Sequence, residues 1–125
     1  MAKSVSDLVL DAALDKSATG NILTVCDTLP TTRTEAVTTY MLASVVVTAG
    51  DGNGDFVISN GDTSGRKLAV AQQASISITN SGDAINVAIC DASDLLLVTS
   101  CTLQTLTSGG TVTVPTWDQE IADPT

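Results

Sequence analysis

The fold is decided by one stretch of the sequence: AINVAIC at residues 84–90, DASD at 91–94 and LLLVTS at 95–100. Two segments rich in Val, Ile and Leu flank a polar turn, which is the pattern of an antiparallel hairpin. The pattern predicts strands over Ala84–Cys90 and Leu95–Ser100, joined by Asp91–Asp94. This hairpin is the clearest supersecondary unit of the chain.

The alternation of apolar and polar residues, interrupted by turn residues, begins at residue 21 and extends along the rest of the chain. It predicts further strands at Ile22–Cys26, Leu42–Val47, Asp55–Ser59, Lys67–Ala71, Ser75–Thr79 and Thr111–Pro115, with a last one near Trp117–Ile121. About seven to nine short strands at this spacing are typical of an antiparallel β-sandwich or barrel. We therefore predict a mainly β fold.

A helix is predicted ahead of the strands, over residues 4–19. Ser4 with Asp7 three places later forms a capping-box pattern, and Gly20 is placed to end the helix in a left-handed conformation. The prediction divides a single domain into an N-terminal helix, residues 1–20, and a β-sandwich, residues 21–125.

The predicted helix carries apolar residues on two sides. One stripe holds Val5, Leu8, Val9, Ala12 and the stem of Lys16, and the second holds Leu10 and Leu14. Two stripes favour contact with a second subunit, whereas packing of both stripes on the protein's own sheet is the alternative; the sequence leaves both open. Val5, Leu8, Val9, Leu10 and Leu14 are therefore interface candidates, and Trp117 is a candidate core or interface anchor.

Charge and composition exclude several classes of partner. The net charge is −9 and the five basic residues are scattered, so the chain lacks the basic surface that nucleic acid or an anionic membrane requires. Three aromatic residues are too few for a platform that stacks bases. No apolar run is long enough for a transmembrane helix, and acidic residues interrupt the segment where a signal peptide would lie. We expect synthesis in a cytoplasm, with neither nucleic acid nor membrane as partner.

The acid–base inventory argues against catalysis. The sequence has no histidine, which removes the Ser-His-Asp and Cys-His arrangements. The glycine-containing stretch 61–67 lacks the order of a phosphate loop and is predicted to be a turn entering a strand. Asp118, Glu120 and Asp123 are expected to form a solvated tail and not a pair of catalytic carboxylates. We predict a protein that is not an enzyme and holds no cofactor.

The best candidate for a metal site is the loop 51–62. Asp51, Asn53, Asp55 and Asp62 fall at oxygen-ligand positions of a twelve-residue calcium loop. Phe56, however, stands where that motif requires glycine, and residues 55–59 alternate like a strand, which would separate these side chains. A plain hairpin turn is therefore favoured over a calcium site.

The three cysteines, Cys26, Cys90 and Cys101, match no zinc or haem spacing. The predicted hairpin places Cys90 beside its turn and Cys101 at its far end, which excludes a bridge between these two. Cys26 and Cys90 each close a strand before an aspartate, so they form a plausible pair if their strands are neighbours. Small buried thiols are the favoured interpretation, and a disulfide formed in an oxidising medium is the alternative.

The order of seven short segments is the broadest feature of the sequence. They are a helix at Ser4–Ala18, a strand with a proline turn at 23–30, Tyr40–Ala43, Asn60–Lys67, Asn86–Asp91, Leu95–Ser100 and Leu106–Pro115. Their order resembles a family of small virion proteins of tailed bacteriophages, structural, fibre-like or capsid-associated, over nearly the whole chain. The resemblance implies a protein that is docked in many copies on the exterior of the particle, either on the capsid or around the neck and collar. Its partners there would be other virion proteins. It implies no catalytic residues.

Three functions follow from these observations. The resemblance favours a capsid-decorating or collar protein, and two features are compatible with it: negative charge keeps the protein off packaged DNA, and a helix with two apolar stripes suits a subunit contact. The alternative is a receptor- or glycan-binding fibre module, which needs an exposed aromatic or calcium platform. An enzyme is the least favoured. We expect a homo-oligomer, assembled in the host cytoplasm.

Overall fold

The computed structural model describes residues 6–122, which hold an N-terminal helix α1 (Asp7–Ser17), nine strands and a π-helical turn, Glu35–Thr39. The strands are β1 (Ile22–Cys26), β2 (Met41–Val46), β3 (Phe56–Asn60), β4 (Arg66–Val70), β5 (Gln73–Ser77), β6 (Gly82–Cys90), β7 (Leu95–Leu106), β8 (Thr111–Val114) and β9 (Trp117–Ile121). The mainly β prediction is confirmed. The main difference in extent is β7, which continues six residues past its predicted end at Ser100.

The described strands form three antiparallel sheets with the orders β2-β1-β6-β7, β3-β4-β9 and β5-β8. Side chains from all three sheets meet in one apolar core, because alternate residues of a strand point to the same face. The largest fully buried side chains that the sheets contribute to this core are Phe56, Leu23, Leu68, Ile76, Ile89, Val25 and Val70. The arrangement is sandwich-like and not a closed barrel.

The central strands β1 and β6 are buried on both faces. Ala88 and Cys90 point away from the main core and pack against Ala36 of the π-helical turn in a second small cluster. The Cys26 thiol donates to the carbonyl oxygen of Ala36 (3.5 Å). Glu35 holds the turn in place, since its carboxylate accepts hydrogen bonds from the backbone amide and the hydroxyl of Thr31 (2.8 and 2.7 Å). The sequence pattern predicted no helix or strand at Glu35–Thr39.

Both ends of α1 differ from the prediction. Ser6 is the N-cap, with its hydroxyl accepting from the amide of Leu8 (3.2 Å), while the predicted cap Ser4 lies outside the described residues. At the other end the helix closes through Ala18 in a right-handed conformation, so the left-handed cap predicted at Gly20 is wrong. Gly20 serves close packing instead, because a Cβ there would overlap the Ile89 side chain.

One stripe of α1 packs on the domain and the other faces solvent. Leu10 and Leu14 are buried, whereas Leu8 is 80% and Val9 61% exposed. Ion pairs fasten the helix: Asp11 pairs with Arg66 of β4 (2.8 Å), and Lys16 pairs with Asp91 (3.2 Å) and Asp94 (3.8 Å). The interface candidate Val5 lies outside the described residues. No helix within residues 6–122 combines the length and the apolar character needed to cross a membrane.

Candidate functional site

The structure does not bring the predicted calcium ligands together. The Asp51 carboxylate accepts from a backbone amide of β3 (2.8 Å), and the Asp55 carboxylate accepts from the amide of residue 48 (2.6 Å). The Asn53 side chain donates to the carbonyl of residue 49 (2.9 Å), and Asp62 pairs with Lys67 (2.7 Å). Within residues 6–122 no three Asp, Glu or Cys side chains are grouped to hold a metal ion. These residues stabilise loops and a hairpin turn.

The three thiols are free, and the proposed bridge between Cys26 and Cys90 is wrong. Their strands are neighbours, but they run antiparallel, with Ile22 opposite Cys90 and Cys26 opposite Asn86. Four residues of offset separate the two cysteines by roughly 13 Å along the strands. Cys26 and Cys90 are buried, and loss of water raises the pKa of both thiols. Cys101 is exposed.

The acidic residues near the C-terminus are not a free tail. Asp118 and Glu120 lie in β9, which pairs with β4 so that Asp118 stands opposite Ala69 and Glu120 opposite Lys67. The ammonium of Lys67 is 3.7 Å from Asp118, and its hydrogen bond to Asp62 is the main cause that raises the pKa of Lys67. Asp123 lies outside the described residues. Asp118 and Glu120 therefore belong to the β3-β4-β9 sheet and its ion pairs.

A long uncharged region forms a different face of the molecule. Residues 95–117 contain no Asp, Glu, Lys or Arg, in a protein with a net charge of −9. These residues make up β7, the turn after it, β8 and the first residue of β9. β7 is the longest described strand and lies at the edge of its sheet. We call residues 95–117 the uncharged face.

A bulge divides β7 in two. Asn86 of β6 stands opposite Ser100, but Ala84, two residues earlier, stands opposite Gln104. One residue of β6 therefore faces three residues of β7, numbers 101–103, and extra residues in a bulge push the strand outward. Residues 100–105 are all exposed, and Leu103 is 58% exposed although it is apolar.

A turn positions β8 across from the second half of β7. The backbone amide of Gly109 donates to the carbonyl oxygen of Ile78, and the amide of Ile78 donates to the carbonyl oxygen of Gly110 (both 3.0 Å). The Ser108 hydroxyl donates to the carbonyl of Thr79 (3.0 Å). Gly109 has a φ of 93°, which favours glycine, and this explains the Ser-Gly-Gly sequence of the turn. β8 is thereby held against β5 and leaves its other edge toward β7.

Two adjoining clefts open between β7 and β8. The larger has a volume of about 540 Å³, and its apolar floor includes Val25, Ile78, Ala84 and Val87 of the core. The smaller, about 310 Å³, is lined in part by Trp117. The clefts share Cys101 and Thr102 of the bulge, and none of their lining residues is charged. The core is thus reachable at this side of the sandwich.

Trp117 lies partly buried at this face, so the structure gives it contacts with both core and surface. Its side chain packs against the main core from the first position of β9, opposite Val70. The indole Nε1 is buried and has no hydrogen-bond partner among the described residues. Of the predicted interface candidates, Trp117 is the one that the structure places on the uncharged face, whereas Leu8 and Val9 lie on α1.

The turn before β7 is fixed by one carboxylate. Asp91 accepts from the backbone amides of Ser93 and Asp94 (both 2.7 Å), and Lys16 of α1 pairs with it. The two amides and then Lys16 lower the pKa of Asp91 to about 2. The ionised carboxylate therefore determines where β7 begins and couples it to the helix.

This arrangement predicts a pH-dependent contribution to stability. A carboxyl whose folded pKa lies below its ordinary value of 3.8 stabilises the fold above about pH 4 and loses that effect as the pH falls through about 2. We expect Asp91→Asn to lower the free energy of unfolding at pH 7, with the difference from wild type shrinking toward pH 2. Urea denaturation at a series of pH values measures this.

Asp94→Asn is the matched control for that experiment. It also removes a carboxylate near Lys16, but this side chain is largely exposed and 3.8 Å away, so we expect little change in stability. A difference between wild type and Asp91→Asn that stays constant from pH 7 to pH 2 would contradict the role given to the Asp91 carboxylate.

The chemistry available at the uncharged face is that of protein contact. It offers hydroxyls, an apolar cleft and the outer edge of a strand, whose backbone groups can pair with another chain. The lack of charge over residues 95–117 was visible in the sequence, but its meaning was not, because nothing local shows that β7 is an edge or that it is bulged. No protein-family model, curated protein or solved structure matches this chain.

Proposed function

We propose that this protein is a non-enzymatic structural component of a tailed-phage particle that decorates or stabilises the capsid or the neck and collar. The observation that carries the proposal is the uncharged face on a strongly acidic protein, with its exposed edge strand beside an apolar cleft. The order of segments that resembles small virion proteins supports the same function.

The charge distribution suits a protein that docks by one face. Acidic residues repel DNA and other acidic surfaces over most of the molecule. The uncharged face carries no such repulsion, and contact there removes apolar surface from water, including Leu103 and the floor of the larger cleft. A docking face of this kind is what a component of an assembly needs, whereas an acid–base catalyst needs carboxyl, imidazole or amino groups in its cleft, and none of these lines either cleft.

Mass spectrometry of gradient-purified particles tests the proposal. We expect the chain at a fixed copy number per particle, retained after high-salt washing, because contact through an uncharged face does not weaken with salt. Particles grown with the variant Leu103→Lys should lose the protein, and particles grown with Val46→Lys should keep it. Val46 is a suitable control because it is an 80% exposed apolar residue of β2, far along the sheet from β7. Absence of the wild-type chain from purified particles would refute the proposal.

A further inference from the structure

We propose that two copies of the protein associate through the exposed segment Ser100–Thr105 of β7, about a twofold axis, with Leu103 of each copy covering the partner's larger cleft. The occupant of the cleft is thus a second copy of this chain. The inference goes beyond the proposed function: the occupant of the uncharged face is a second copy, the self-association does not require a phage particle, and the unit that joins a particle is the dimer.

The outer edges of β2 and β3 are partly covered by other segments of the same chain. The edge of β2 is covered by the chain after β5, where Ala43 bridges Ile78 and the amide of Thr79 donates to the carbonyl of Leu42 (2.8 Å). The edge of β3 is covered by the loop before it, where the amide of Gly52 donates to the carbonyl of Phe56 (2.8 Å). Part of each edge is therefore occupied by the protein's own chain.

The remaining edges are poorly suited to self-pairing. β9 carries Asp118 and Glu120, and like charges that face each other across paired strands are destabilising. β8 has four residues and is followed by Pro115, which cannot donate a backbone hydrogen bond. β7 has twelve residues with neither charge nor proline. Charge and proline are devices that keep edge strands apart, and β7 is the longest described strand that lacks both.

Electrostatic repulsion between two acidic copies also favours contact at the uncharged face. Two copies with a net charge of −9 repel each other, and the repulsion is smallest where the contacting surfaces hold no charge. Residues 95–117 themselves carry no charge, and the Asp83 carboxylate of β6, which accepts from the Thr105 hydroxyl (2.9 Å), lies at one end of the contact segment. A basic partner would find no acidic residue lining the clefts to pair with, so charge complementarity favours a second copy over a cationic protein.

The surface around the second half of β7 is complementary to itself. A twofold contact uses the same surface on both copies, so that surface must hold both a projection and a recess. The bulge supplies the projection, because Leu103 is 58% exposed and lies between Thr102 and Gln104, which line the cleft. The cleft of about 540 Å³ supplies the recess. The contact is placed on the second half of β7 because α1 lies near its start, with Lys16 paired to Asp91 and Asp94 of the preceding turn.

Sedimentation velocity of the full chain over a range of concentrations tests the proposal. We expect a reversible monomer–dimer equilibrium that added salt shifts toward dimer, because salt screens the repulsion between the acidic copies. Leu103→Lys should weaken the dimer by about tenfold or more, since it places two like charges in a desolvated contact. Circular dichroism should show both proteins folded.

Two control variants add the same charge elsewhere. Val46→Lys on β2 and Leu8→Lys on the exposed stripe of α1 should leave the dissociation constant unchanged. A short bis-maleimide should link two copies through the exposed Cys101, and Cys101→Ser should abolish the link, because Cys26 and Cys90 are buried. A monomer at every concentration would overturn the proposal, and so would a dimer that Leu8→Lys disrupts and Leu103→Lys does not. Both results are independent of whether the chain is found in particles.

Discussion

Replacing Phe56 with alanine should lower the free energy of unfolding by about 3–5 kcal/mol, one of the two largest effects expected in this molecule. Phe56 is the single phenylalanine of the chain and begins β3, and its side chain is fully buried in the main core. Removal of the ring loses its burial and leaves a cavity among side chains of different sheets, which cannot all move to fill it. Urea denaturation followed by circular dichroism measures the change.

Two neighbouring variants serve as controls for Phe56→Ala. Phe56→Leu keeps most of the apolar volume and should cost less than about 1.5 kcal/mol. Val57→Ala removes methyl groups from the next residue, which is 48% exposed, and should change stability by no more than about 0.5 kcal/mol. Equal losses for Phe56→Ala and Val57→Ala would show that Phe56 is not the core residue described above.

The positions of the strands were predictable because they depend on local alternation. β1 and β9 match their predicted bounds, and the hairpin of β6 and β7 has the predicted turn. Turn residues also behave as expected: the stretch 61–67 is a turn into β4. Each of these features depends only on an apolar face of a strand and on a turn that reverses the chain. Both can be identified from neighbouring residues.

Features that depend on distant contacts were not predictable. The π-helical turn Glu35–Thr39 forms because Ala36 fits against Ala88 and Cys90 on the outer face of a sheet, and the sequence does not show that this face needs a cover. The alternative of a disulfide between Cys26 and Cys90 is excluded for a similar reason. Both cysteines close a strand, but antiparallel pairing of those strands places them at opposite ends.

The candidate site was predictable only in part. The uncharged run 95–117 is plain in the sequence, yet an uncharged run in a central strand would be ordinary core. It becomes a surface because β7 is the outermost strand of its sheet and because the bulge at 101–103 turns Leu103 toward solvent. Helix α1 shows the reverse: its two apolar stripes left open a subunit contact or packing of both stripes on the sheet. The second alternative is wrong, because Leu10 and Leu14 pack on the domain while Leu8 and Val9 are exposed.

Replacing Gly65 with alanine should lower the free energy of unfolding by about 2–4 kcal/mol, the second large effect. Gly65 ends the turn between β3 and β4 with a φ of 70°, a left-handed conformation that costs an alanine free energy. A Cβ at this position would also overlap the carbonyl oxygen of Ile121 in β9. Since Ile121 pairs with Arg66, relief of the overlap would separate β9 from β4. Thermal and urea denaturation measure the loss.

Gly52→Ala separates the two causes. Gly52 has a φ of 81°, so an alanine there is strained in the same way, but no atom lies within 4 Å of its Cβ position. We expect this variant to lose about 1 kcal/mol, from backbone conformation alone. The excess loss in Gly65→Ala then measures how tightly β9 is held against β4. Equal losses in the two variants would mean that β9 moves away at little cost. The β3-β4-β9 sheet would then be a loosely attached part of the sandwich, and Trp117, which begins β9, would not be a fixed wall of the smaller cleft.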